Sequence, residues 1–117
     1  MSSIELQEAF DSIPYHRRER FVISYADNAF RMEGRLGDEH ARAPGMAMAH
    51  GGAVAGLLDT ATTFAAVAST QTIWATVDIR VDYLRPTPLG SRGTLNPSMR
   101  KHVLSPAISA LTIMKRS

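Results

Sequence analysis

Asp59 is the side chain best placed to do chemistry. It is the only charge between Gly51 and Thr70, a stretch otherwise made of small, apolar and hydroxyl residues. Burying an unpaired carboxylate is costly, so such a group is paired, hydrogen-bonded or protonated. One outcome is an Asp that caps a neighbouring element or meets a basic residue. The other is a carboxylate tuned for base or nucleophile work. Nine residues earlier stands His50, followed by Gly51 and Gly52. Two glycines let a ligand or another backbone come close. The first N–H groups of a helix starting there have no internal partner, and the helix dipole favours negative charge. A developing oxyanion could be held at that spot. An ordinary loop-to-helix turn uses the same residues, and His50 alone fits a packed or capping role as well as a catalytic one.

The other reactive types offer less. His16, His40 and His102 show no metal-ligand spacing, so no metal is expected. No serine sits in a nucleophile-elbow pattern and no glycine-rich phosphate loop is present. The chain has no cysteine, which excludes disulfides, thiolate catalysis and cysteine-bound zinc. Its six methionines read as core filler. The formal charge is +2 and the basic residues are scattered, without the stripe that tracks phosphates, so nucleic acid is not an expected partner. The N-terminal segment carries early acids and no apolar run, so a cytoplasmic location is expected. Residues 51–70 have membrane-spanning length, but Asp59 near their middle argues against insertion.

The elements that must position these residues follow from spacing. With 117 residues the chain fits one domain, and so small a core favours an oligomer that hides more apolar surface. Ser2-Ser3-Ile4-Glu5 predicts a capping box opening a short helix through about Phe10, and Pro14 ends that region. Arg20–Ala26 predicts a strand, Asp27-Asn28 a turn, and Phe30–Leu36 the returning strand. A loop with Pro44-Gly45 leads to a helix over Gly51–Ser69. Its stripe Val54, Leu57, Leu58, Ala61, Phe64, Ala65 and Ala68 is apolar, and its other face (Ala55, Asp59, Thr62, Thr63, Ala66, Val67) is nearly uncharged. Such a helix is expected to be covered on all sides. Ile73–Leu84 alternates strictly, with Ile73, Ala75, Val77, Ile79, Val81 and Tyr83 on an apolar face. Trp74, Thr76, Asp78, Arg80, Asp82 and Leu84 form the opposite, largely polar face. Weaker strands are expected over 93–104 and 107–114. The expected class is α+β, an antiparallel sheet enclosing one helix.

These motifs together resemble the hot-dog thioesterases of the phenylacetate-degradation (PaaI-like) type. The resemblance rests on His50-Gly51-Gly52 with Asp59, on Ala75–Pro86 followed by Gly90, and on Ile13-Pro14-Tyr15-His16, over about residues 10–95. It implies hydrolysis of an acyl-CoA to a free acid and CoA, without metal or redox cofactor. It implies that Asp59 is base or nucleophile, that the Gly51 N–H polarises the thioester carbonyl, and that His50 orients the thioester or the turn. It further implies that Thr76 positions the attacking water. The site of such proteins lies between subunits of a homodimer or homotetramer. Two departures stand out: Pro44 occupies a position that is Asn in some relatives, and the chain beyond Leu95 departs from the pattern as if short by the usual last strand. A non-catalytic, acyl-CoA-binding hot-dog protein is the alternative. A hot-dog dehydratase would need a His shortly after the helix Asp, and residues 60–69 contain none.

Overall fold

A computed structural model of the chain describes residues 2–26, 29–90, 92–95, 101–104 and 108–116. Helix α1 (Ser3–Asp11) opens with the expected capping box. The Ser2 Oγ accepts from the Glu5 N–H at 3.2 Å, and Glu5 Oε2 accepts from the Ser2 N–H at 2.6 Å. Where Pro14 was expected to end the helical region, it begins another, α2 (Pro14–Glu19), with the proline in the first turn. Proline is favoured there because its missing N–H has no intrahelical partner to lose. Arg20, in the left-handed region at φ 57°, stops α2 and turns the chain into β1 (Val22–Ala26). The returning strand β2 (Ala29–Arg35) pairs with β1 in antiparallel register, Val22 opposite Glu33; the expected turn at Asp27-Asn28 lies outside the described residues.

Helix α3 (Gly51–Thr70) runs through the middle of the fold and touches β2 as well as three of the four strands that follow it in the chain. By length and composition alone α3 could cross a membrane, yet most of it is buried within this fold. Its predicted apolar stripe is buried throughout, from Val54 to Ala68. The other face divides: Thr62, Ala66 and Val67 are buried, whereas Ala55, Asp59 and Thr63 are only partly covered.

Strand β3 (Trp74–Tyr83) corrects the strict alternation read from sequence. The register shifts between Thr76 and Asp78, a β-bulge at Val77. Two successive residues, Val77 and Asp78, therefore point outward, and the faces exchange across the bulge. Before it, Trp74 and Thr76 turn toward the helix while Ala75 and Val77 are exposed; after it, Ile79 and Val81 turn inward. The stretch expected as one strand over 93–104 contains two, β4 (Arg92–Leu95) and β5 (Lys101–Leu104), with 96–100 outside the described residues. The final expected strand is β6 (Ile108–Arg116).

All pairings are antiparallel, in ladders β1-β2-β4 and β3-β6-β5, and β4 lies against β5. Two three-stranded antiparallel sheets, adjacent at β4 and β5, thus pack with α3, the hot-dog arrangement. β6 is hydrogen-bonded along both edges, between β3 and β5. Among the described residues, β3 is an edge of its ladder.

Candidate active site

The two motifs of the central region meet at the start of α3. Ala49 N–H donates to the Thr87 carbonyl at 2.8 Å, and the Tyr83 hydroxyl donates to the Gly51 carbonyl at 2.6 Å. Burial raises the Tyr83 phenol above its usual value, so the group stays a donor. His50 is the N-cap: its Nδ1 accepts from the Gly52 N–H at 2.9 Å. Because Nδ1 accepts, a neutral imidazole carries its proton on Nε2. A β-carbon on Gly52 would lie 3.0 Å from that Nδ1, which explains a glycine under the capping ring. Gly51 is the first helical residue, so its N–H has no intrahelical partner. A cavity of about 680 Å³ opens there, lined among others by Arg42, His50, Gly51 and Arg85. Both arginines are exposed, and neither makes an ion pair with a described residue.

The turn is braced from behind. The His50 N–H donates to the His40 carbonyl, and the buried His40 imidazole joins Glu19 at 2.5 Å. Its other nitrogen, Nδ1, accepts from the Gly37 N–H at 3.0 Å. Glu19 belongs to α2, so one polar chain connects α2 to the N-terminus of α3.

Asp59 lies on the partly covered face of α3. Its Oδ1 accepts from the Thr76 hydroxyl at 2.5 Å, and Thr76 in turn lies 3.3 Å from the Thr63 hydroxyl. No described cation forms an ion pair with Asp59. A cavity of about 500 Å³ opens beside it, lined by Ile13, Tyr15, His16, Phe64 and Thr76 among others. Two of these, Tyr15 and His16, come from α2, the helix that the sequence reading missed. His16 is buried at 6% exposure and its Nδ1 donates to the Phe10 carbonyl at 2.9 Å. Burial lowers its pKa, outweighing that hydrogen bond and Asp11, so the ring is held neutral. The Tyr15 phenol is raised, first by burial and then by the charges of Glu19 and Asp59. Among the described residues no three His, Asp or Glu side chains gather as metal ligands would.

Of the four residues singled out from sequence, the structure brings Asp59 to Thr76 and His50 to Gly51. It does not bring the two pairs together. Gly51 and Asp59 are separated by two turns of one helix, about 12 Å along the axis, and they line different cavities.

Residues 46–101 match the model of the thioesterase superfamily. No curated protein matches the sequence. Among solved structures, thioesterase superfamily member 2 of Mus musculus superposes with a TM-score of 0.70 at 18% identity, covering 99% of this chain and 98% of its own. The E. coli PaaI protein from the phenylacetic acid degradation operon gives a TM-score of 0.73 at 14% identity, covering 98% of this chain and 95% of its own. A thioesterase of Haemophilus influenzae gives 0.71 at 13%, covering 97% and 89%. The fold is that of the hot-dog thioesterases, and the segment matching their superfamily holds His50, Gly51, Asp59 and Thr76.

Proposed function

We propose that the protein hydrolyses acyl-CoA thioesters to a free carboxylic acid and CoA, at sites shared between two copies of the chain. The observation that carries this reading is the carboxylate of Asp59, oriented through Oδ1 by Thr76, without a paired cation, beside a largely apolar cavity. Its Oδ2 has no described partner and is the oxygen free to act. As a base it takes a proton from water while the water oxygen attacks the thioester carbonyl; as a nucleophile it attacks that carbonyl directly. Either route places negative charge on the carbonyl oxygen. The orphan N–H of Gly51 suits that charge, and the outward Nε2–H of His50 suits the substrate beside it. Collapse of the tetrahedral species breaks the C–S bond and releases CoA thiolate, which leaves as the thiol after protonation; on the nucleophilic route a water then hydrolyses the Asp59–acyl anhydride, releasing the free acid and restoring the carboxylate. Arg42 and Arg85, at the mouth of the Gly51 cavity, suit the phosphates of CoA.

A shared site follows from the 12 Å estimate. A carbonyl polarised by Gly51 of one chain is out of reach of the same chain's Asp59. Among the described residues β3 is an edge strand, with Ile73, Val77, Tyr83 and Leu84 exposed along it, and a second copy could pair there. A homodimer is the smallest assembly that meets this need, and a homotetramer is a pair of them. Light scattering at low micromolar concentration should give at least a dimer mass.

The test is hydrolysis of an acyl-CoA panel, read as free thiol, comparing wild type with Asp59→Asn. The amide keeps the volume but cannot accept the proton or attack, so activity should fall by about a hundredfold or more. A folded Asp59→Asn protein within about threefold of wild type would remove Asp59 from the mechanism; a general base contributes at least about 10². A wild type that binds acyl-CoA without hydrolysing any of the panel would instead favour the non-catalytic alternative.

A further inference from the structure

The Asp59 cavity has one wall that comes from far away in sequence. Tyr15 stands at the start of α2, and its ring meets Phe21 edge-on with centroids 5.9 Å apart. Its hydroxyl reaches over α3 onto Gly56, one turn before Asp59. A β-carbon built on Gly56 would lie 2.4 Å from that oxygen, so the phenol occupies the space that any larger residue at position 56 would fill. Gly56 sits in mid-helix, where glycine is less favourable than Ala; the close approach of Tyr15 is what the structure shows it accommodating. Residues 56 and 59 share a helix face, so the phenol stands beside the carboxylate in the same cavity. Tyr15 is 41% exposed, so its ring is partly free to be touched by a ligand.

From this geometry we infer that Tyr15, seated on Gly56, is the specificity-determining residue of the acyl site: it blocks the path along α3 and limits the site to short acyl chains. The inference rests on the thioesterase reading above. Ile13 and Phe64 line the same cavity, so withdrawing the ring leaves apolar side chains there for added methylenes to meet. Each methylene that gains or loses an apolar pocket changes kcat/KM by roughly 10–200-fold, so even a modest lengthening of the channel is measurable.

Tyr15→Leu tests this. Leucine keeps an apolar contact for Phe21 while it withdraws the ring tip and hydroxyl from Gly56. Tyr15→Phe, which keeps most of the ring, serves as the control for folding and for the hydroxyl. The readout is the ratio of kcat/KM for decanoyl-CoA to that for butanoyl-CoA, with the ratio of dissociation constants measured by calorimetry in the Asp59→Asn background beside it. Tyr15→Leu is expected to raise the preference for the longer chain by about tenfold or more in both readouts, with Tyr15→Phe staying near wild type. A smaller rise in Tyr15→Leu overturns the inference while leaving the thioesterase reading intact, because hydrolysis or binding is then still observed. A protein that neither hydrolyses nor binds any of these acyl-CoAs overturns both. If Tyr15→Leu fails to fold, Gly56→Ala takes its place: the new methyl displaces the phenol, and an unchanged chain-length ratio in that variant also overturns the inference.

Discussion

The two ends of the chemistry on α3 are built differently. At its N-terminus the groups are backbone: the Gly51 N–H, a His50 ring spent on capping, and two exposed arginines nearby. Two turns on, the groups are side chains: a half-covered carboxylate, two threonines, and an aromatic wall borrowed from α2. The first end suits holding charge that arrives with a substrate. The second suits moving a proton, because Thr76 orients the carboxylate through Oδ1 and leaves Oδ2 without a described partner. Neither end does both, and the rigid helix between them fixes their separation. On the proposed reading, another copy supplies the missing end.

The sharpest way to break this contrast is Gly51→Pro. Proline removes one amide donor and is favoured at the first helical position. His50, at φ −64° and ψ 133°, already has the extended conformation that a following proline requires. Loss of one oxyanion donor should lower kcat by about 10²–10³ with the melting temperature little changed. Mixing this variant with Asp59→Asn then separates a shared site from a single-chain one. In a two-fold dimer each site draws on both chains, so random reassortment should restore about a quarter of wild-type activity. Two inactive proteins that stay inactive after verified subunit exchange would show that each chain holds its own site.

A smaller effect belongs to Thr76. Its hydroxyl donates to Asp59 and fixes the carboxylate's orientation. A hydrogen bond to a charged group is worth about 1.5–3 kcal/mol, so Thr76→Ala should lower kcat by roughly ten- to a hundredfold, with KM nearly constant. Thr76→Ser should recover most of the loss. Equal losses in both variants would point to packing of the methyl group in place of the hydroxyl.

The two ends also differ in how legible they were. Asp59 stood out as the lone charge on an apolar helix, and His50-Gly51 as a helix start, because charge isolation and capping are local properties. Thr76 was reached only through the family resemblance. Strict alternation put it on the polar face with Asp78, and the bulge at Val77 separates the two. No glycine or proline marks that bulge, so period-two spacing alone cannot reveal it. Tyr15 and His16 entered only within the segment that resembles the family and were given no place at the site, because Pro14 was read as a stop when it is a start; proline serves both uses. The sheet was legible in kind but not in order. That β6 enters between β3 and β5 depends on pairings far apart in sequence, which side-chain alternation does not encode.

The smallest expected effect also sharpens the contrast, because it should touch only the α2 wall of the Asp59 end. His16 packs at 4.1 Å from Phe10 and 5.2 Å from Phe64, ring centre to ring centre. Burial holds its pKa below the ordinary histidine value of about 6.5. As pH falls through that ordinary value the unfolded chain takes up a proton that the folded protein refuses. The unfolded state then binds more protons, so stability declines with acidification, by at most about 1.4 kcal/mol per pH unit for this one group. The contribution is fully present above about pH 7 and is lost progressively below it, until the folded imidazole itself titrates. His16→Phe keeps the ring stack and cannot titrate, although it leaves the Phe10 carbonyl without its donor, a cost of about 1 kcal/mol. Melting curves between about pH 7.5 and 5 should therefore converge: the wild type starts higher and falls more steeply than His16→Phe. Parallel curves would mean that His16 does not resist protonation in the folded protein.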